Sequence, residues 1–172
     1  MDDLPVNQRN IHIREIHPEE IPLLDGFFYD AIFIPEGVER PPFEIIQVPE
    51  LALYYQDFGR PGDHCLVADQ DGNLIGMIWT RLFSDTARGY GYVNSQTPEV
   101  SMSVKKPYRD QGVGAALFKA MMNKLEELGY EQVSLSVDVQ NYAFPWYQKS
   151  GFKTVRLDGE SVTMIKTLDN HK

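Results

Sequence analysis

A chain of 172 residues with 42% hydrophobic and 24% charged side chains has the size and composition of one ordinary domain with its own core. Its formal net charge of -9 excludes sequence-independent binding to nucleic acid, which needs an excess of Lys and Arg to meet the polyanion. No apolar run approaches the roughly 18 residues that span a bilayer. Residues 1–10 carry neither the basic start nor the apolar stretch of an export signal, so a cytoplasmic protein is expected. The acidic balance suits a cationic partner, and it equally suits plain solubility. The single cysteine, Cys65, has no internal disulfide partner and reads as a small buried hydrophobe within residues 64–68.

In chain order, residues 11–16 alternate imperfectly and predict a first strand. His17-Pro18-Glu19-Glu20 then reads as a helix start, with acids in its first turn and a helix over 23–33. Residues 34–49 hold Pro35, Pro41, Pro42 and Pro49 and predict a loop, although Phe43, Ile45, Ile46 and Val48 still call for burial. A short helix is expected over 51–58. Strands follow over 65–68 and 74–83, and the Asp71-Gly72 pair between them is a strong hairpin signal. A polar, glycine-bearing connection over 84–98 leads to a strand over 99–104, where Val100, Met102 and Val104 alternate with Glu99, Ser101 and Ser103.

Val113, Leu117, Met121, Leu125 and Leu128 recur at steps of four and three and predict a long amphipathic helix that stops at Gly129. Val133, Leu135, Val137 and Val139 make another alternating strand, residues 142–149 a short helix, and 152–157 and 162–167 a final strand pair. Helices between strands with antiparallel hairpins imply an α/β (α+β) fold: one mixed, largely antiparallel sheet of about seven strands with helices on both faces.

The chemistry is expected between the strand over 99–104 and the long helix, at Lys105-Lys106-Pro107-Tyr108-Arg109-Asp110-Gln111-Gly112-Val113-Gly114-Ala115. A helix N-terminus offers unpartnered N–H groups and about half a positive charge, and glycines let an anion approach closely. Lys105, Lys106 and Arg109 invert the charge locally. The dinucleotide fingerprint fails because Leu117 stands where a third Gly or Ala is needed, and no Gly-Lys-Ser/Thr follows. A glycine-bearing turn that binds nothing remains the plain alternative.

Arg109-Asp110-Gln111-Gly112-Val113-Gly114 resembles the Arg/Gln-x-x-Gly-x-Gly/Ala motif of the GNAT N-acetyltransferase superfamily, between a strand and a long helix as in that family. Asn141, Tyr147 and Gly151-Phe152 resemble its downstream positions. The resemblance implies acetyl-CoA as cosubstrate and no metal. The amides of Gln111, Gly112, Val113, Gly114 and Ala115, beside Arg109 and Asp110, would hold the pyrophosphate. The edge at Met102, Ser103 and Val104 would pair with pantetheine where the strands over 99–104 and 133–139 splay, with Asn141 and Phe144 also on the cofactor. Gln140 takes the place of Asn141 under a one-residue shift, and Asn141 is also a natural helix N-cap. By the same resemblance residues 1–172 form a single acetyltransferase domain, acceptor side to about residue 62 and acetyl-CoA-binding core over 63–172.

An alkyl amine, with a reference pKa near 10.4, arrives protonated and needs a base. Glu99 is the candidate, against the reading of an exposed strand-end acid and against a water chain. Tyr147 is the candidate acid toward the departing thiolate, against the reading of an aromatic that covers the sheet. A backbone N–H near Met102 to Val104 would serve the developing oxyanion. His12, His17, His64 and His171 lack metal-ligand spacing, and no Gly-x-Ser-x-Gly motif occurs. The aromatic cluster of Phe27, Phe28, Tyr29, Phe33, Tyr54, Tyr55 and Phe58 reads as core before acceptor pocket, and residues 88–92 as a loop over the site. The function implied is N-acetyl transfer from acetyl-CoA to a small-molecule or peptide amine by direct attack. A non-catalytic acyl-CoA sensor and a nucleotide-binding regulator are the alternatives, and a homodimer stays open.

Overall fold

Seven strands form one sheet: β1 (Ile11–Glu15), β2 (His64–Gln70), β3 (Asn73–Arg81), β4 (Glu99–Val104), β5 (Gln132–Asp138), β6 (Lys153–Asp158) and β7 (Ser161–Thr167), in the order β1-β2-β3-β4-β5-β7-β6. The structure, a computed structural model, describes residues 10–169; the readings made on residues 1–9 and on His171 lie outside them. Neighbouring strands are antiparallel except β4 and β5, which run parallel. Among the described residues the α-helices α1 (Leu24–Ala31), α2 (Pro49–Ala52), α3 (Val113–Glu127) and α4 (Ala143–Lys149) complete the mixed α/β fold.

A register shift opposite Ala68 and Asp69 breaks the alternation of β3 near Ile75, and the strand divides between two cores. Ile75 and Ile78 join Val100, Leu117, Met121, Leu125 and Leu135 on the α3 face. Leu74, Met77 and Trp79 point the other way and join Leu24, Phe27, Phe28 and Tyr54 on the α1 face. The hairpin between β2 and β3 turns at Asp71 and Gly72, both with positive φ (52° and 90°), as a type I′ turn requires. At the far end of α3, Gly129 takes φ 89°, and the N–H groups of Gly129 and Tyr130 return to the Glu126 and Leu125 carbonyls at 3.1 Å each. This Schellman arrangement stops the helix where the sequence predicts.

Three expectations shift. The helix expected over 23–33 is preceded by a 3-10 turn over Pro18–Leu23 that contains Pro22, since proline cannot donate to an α-helical ladder. The helix expected over 51–58 covers only Pro49–Ala52: the carbonyls of Leu53, Gln56 and Asp57 are taken by the Arg81 guanidinium, and Asp57 has φ 56°. The proline-rich stretch contains a 3-10 turn over Phe43–Gln47 that buries Ile46 while Phe43 stays exposed.

The parallel contact between β4 and β5 positions the site. Their pairing is confined to Glu99 opposite Ser134, next to a bond from the Ser134 N–H to the Pro98 carbonyl at 2.9 Å. From there the strands diverge.

Candidate active site

The divergence of β4 from β5 opens a cleft of about 1060 Å³. Its walls come from β4, the residues leading into α3, Leu135 to Asp138 of β5, the start of α4 and the end of α1.

At the α3 end, local sequence builds a concave ring of donors. Asp110 and Gly112 have φ 63° and 88°, and left-handed residues alternating with others curl successive N–H groups toward one point. Gly112 is the N-cap of α3 and brings no side chain to cap it. The first helical bond comes from Ala116 to the Gly112 carbonyl at 3.0 Å. Among the described residues no protein acceptor takes the amides of residues 110–115. Lys105, Lys106 and Arg109 line the same end of the cleft. Arg109 is fixed by its Nε–H donating to the Val104 carbonyl at 2.8 Å, and Lys105 leans toward the Phe27 ring, 5.6 Å from its centroid.

Met102, Ser103 and Val104 line the cleft with their β5-facing edge unpaired, as do Asp110, Gly112, Gly114 and Ala115. Val113 is buried in the α3 core, so only its backbone faces the ring. The Gln111 carboxamide folds back, Nε2 to the Pro107 carbonyl at 3.1 Å. Asn141 lines the cleft just ahead of α4 and accepts the Ala143 N–H through Oδ1 at 2.9 Å, which leaves its NH₂ for a ligand. Gln140 instead donates to the Glu160 carboxylate. Phe144, like Trp146 and Tyr147, packs partly buried against the α3 core, and of the three Trp146 and Tyr147 line the cleft.

Glu99 and Tyr147 line this one cleft. Glu99 is not an exposed strand-end acid; it is 4% exposed. Its Oε2 accepts the Tyr54 hydroxyl at 2.5 Å, and Oε1 is buried without a hydrogen-bond partner among the described residues. Burial pushes the Glu99 carboxyl up to about 7, against the Tyr54 hydrogen bond, the nearby Gly91 amide and the Arg156 charge, which pull it down. Tyr147 packs among Phe118, Trp146 and Phe152; burial, and next the Tyr142 phenol, push it up to about 12 although its ring keeps some exposure. A neutral phenol with its proton in place is the form an acid must have.

The other limb of the cleft is walled by Phe28, Phe33, Leu51, Tyr54 and Tyr90. Phe28 and Tyr54 thus belong to the core and to the cleft wall at once. At its rim Arg40 pairs with Asp30 at 2.9 Å and stacks over Tyr29. The loop over 88–92 does reach the site: the Tyr90 N–H donates to the Tyr54 hydroxyl at 2.7 Å. Arg156 of β6 ties the Tyr92 carbonyl at 3.0 Å. The contact of Tyr54 with Glu99 has no sequence signal beyond aromatic clustering, since the two lie 45 positions apart. Among the described residues no group of three or more His, Cys, Asp or Glu side chains is placed to hold a metal, and no helix is long and apolar enough to cross a membrane.

Residues 31–152 match the acetyltransferase (GNAT) family. This chain belongs to that family. GNAT relatives include the mycothiol acetyltransferase of Propionibacterium freudenreichii, 30% identical over 104 residues, 60% of this chain and 31% of that one. The N-alpha-acetyltransferase of Sulfurisphaera tokodaii is 34% identical over 115 residues, 58% of this chain and 65% of the relative. The matches thus span less than two thirds of either relative's length. Among solved structures, the PaiA N-acetyltransferase of Thermoplasma acidophilum in complex with coenzyme A aligns with a TM-score of 0.66 at 22% identity, over 91% of this chain and 98% of that one. The ribosomal-protein-S18-alanine N-acetyltransferase of Escherichia coli aligns with a TM-score of 0.64 at 17% identity, over 92% and 94% of the two chains. At these identities the two structures share the GNAT fold with this chain.

Proposed function

We propose that this chain transfers an acetyl group from acetyl-CoA to a primary amine by direct attack in a ternary complex. The observation that carries the reading is that the unused amides at the start of α3, the free edge of β4, Glu99 and Tyr147 all open on one cleft. The amides of residues 111–115, with Arg109 and Asp110 alongside, bind the pyrophosphate of coenzyme A by aligned N–H donors and the helix dipole. The edge of Met102, Ser103 and Val104 pairs with the pantetheine amides as a neighbouring strand would, and the Asn141 NH₂ donates to the same arm.

An amide on the β4 edge stabilises the oxyanion. Glu99 receives the proton of the amine, and Tyr147 supplies one to the leaving sulfur; a carboxyl near 7 and an un-ionised phenol suit these two duties at neutral pH. Residues 10–62 then form the acceptor side and 63–169 the cofactor core of a single domain. The Sulfurisphaera tokodaii relative is named an N-alpha-acetyltransferase and the Escherichia coli structure a ribosomal-protein-S18-alanine N-acetyltransferase, so peptides with a free N-terminus come first among acceptors.

The test is thiol release from acetyl-CoA with such peptides, polyamines, aminoglycosides and amino acids, beside calorimetry with coenzyme A. Release with one acceptor class supports the reading. No heat of binding with coenzyme A refutes it, and binding without turnover on any amine turns it into a sensor.

A further inference from the structure

Glu99 lines the cleft, but both of its carboxylate oxygens are covered by other groups. Oε1 is enclosed beneath Gly89, where an added Cβ would stand 2.3 Å from it. Oε2 is capped by the Tyr54 hydroxyl at 2.5 Å. That hydroxyl accepts one bond, from the Tyr90 N–H at 2.7 Å, and a phenol oxygen has a second lone pair. Tyr54 and Tyr90 both line the acceptor limb.

Tyr54 is held at both ends. Its ring lies nearly parallel to those of Phe28, 5.2 Å away, and Tyr90, 6.4 Å away, each at an interplanar angle of 11°. Its carbonyl accepts the Trp79 indole N–H at 3.0 Å, and the neighbouring Leu53 carbonyl accepts from Arg81 at 3.0 Å. The hydroxyl therefore cannot leave Glu99 without unstacking the ring. Such rigidity is what a proton carrier needs and what a mere core aromatic does not.

We propose that the Tyr54 hydroxyl is the proton relay between the acceptor amine and Glu99. The proposal rests on the acetyltransferase reading and adds the path the proton takes. As the amine nitrogen attacks the thioester carbonyl, one N–H proton passes to Tyr54 Oη while the phenolic proton passes to Glu99 Oε2. The lone pair of the amine, which attacks in its neutral form, makes the C–N bond while the carbonyl pair moves to oxygen; collapse of that oxyanion breaks the C–S bond, and the sulfur leaves with the proton from Tyr147. Glu99 ends as the neutral acid, Tyr54 ends as it began, and Tyr147 is reprotonated from water. The two transfers are concerted, because burial and then the Glu99 charge hold the Tyr54 phenol well above its ordinary value, so a free tyrosinate is not formed. After product leaves, the same path run backward returns the proton to water in the cleft.

The experiment compares Tyr54→Phe with the wild type on the acceptor that turns over best, following kcat, KM for acetyl-CoA and the rate in mixtures of light and heavy water. The relay predicts a fall in kcat of about 10²-fold, the usual weight of a proton-transfer group, with KM for acetyl-CoA within threefold. It also predicts a curved, two-proton inventory in the wild type that becomes linear or vanishes in the variant. Coenzyme A calorimetry and a thermal melt establish that the variant is folded. A folded Tyr54→Phe protein within threefold of wild-type kcat overturns the relay, as does a linear inventory in the wild type. A wild type that releases no thiol with any amine overturns the acetyltransferase reading itself, so the two failures are distinct.

Discussion

Arg81 and Glu99 face each other across β3 and β4 as register partners, yet Arg81 turns its guanidinium away and bonds both oxygens of Asp63 at 3.0 Å. A cation paired with Glu99 would hold that carboxyl below its ordinary range. With Arg81 engaged by Asp63 and by the carbonyls of Leu53, Gln56 and Asp57, burial governs Glu99 instead and its proton is held to about pH 7. The same guanidinium fixes the chain around Tyr54.

Asp63→Asn therefore acts on stability and on the base together. Both partners of the pair are almost fully buried, at 1% and 2% side-chain exposure, and breaking a buried pair costs about 3–5 kcal/mol. Denaturant unfolding should show a loss of that order. In the folded fraction the freed Arg81 charge should move the pH limb of kcat/KM downward from 7; an unmoved limb counts against this electrostatic partition.

Glu99→Gln should separate activity from stability. Because the folded carboxyl is raised from 4.5 to about 7, the folded state binds the proton more tightly than the unfolded chain. Its contribution to stability is complete below about pH 4.5 and is lost as pH rises through 7. The amide has no charge to bury, so Glu99→Gln should melt above the wild type at pH 8, with the gap closing toward pH 5. Wild-type kcat/KM should rise through about pH 7, and the variant should lack that limb.

Tyr147→Phe removes the proton proposed for the sulfur and keeps the ring contacts with Phe118, Trp146 and Phe152. Steady-state kinetics should show kcat lower by about 10²-fold with coenzyme A affinity by calorimetry within threefold. An unchanged kcat would leave Tyr147 as packing alone.

Gly112→Ala places a side chain on a residue at φ 88°, at a cost of about 1–2 kcal/mol, and distorts the amide ring at the start of α3. Thermal melts should show that loss. Stabilisation by added coenzyme A, about 2.7 kcal/mol at a hundred times Kd, should shrink at fixed ligand concentration. Equal stabilisation of variant and wild type would locate the pyrophosphate elsewhere.

Short-range interactions are fixed by local sequence, and long-range ones by the assembled fold. The Asp71-Gly72 turn, the α3 stripe with its stop at Gly129, and the glycine-bearing entry to α3 depend on residues within a few positions of one another. Backbone sterics and side-chain period determine them wherever the chain goes, so the sequence alone sufficed for the element order, the mixed sheet and the glycine-bearing turn into α3. It did not suffice where distant groups compete for one partner. Arg81 gathers the carbonyls of Leu53 and Gln56 just beyond α2, and the loop before β4 closes over Glu99 through Gly89 and Tyr90. The burial that raises the Glu99 carboxyl is likewise a property of the assembled layers, because desolvation is contributed by atoms far away in sequence, and tertiary packing alone brings them together.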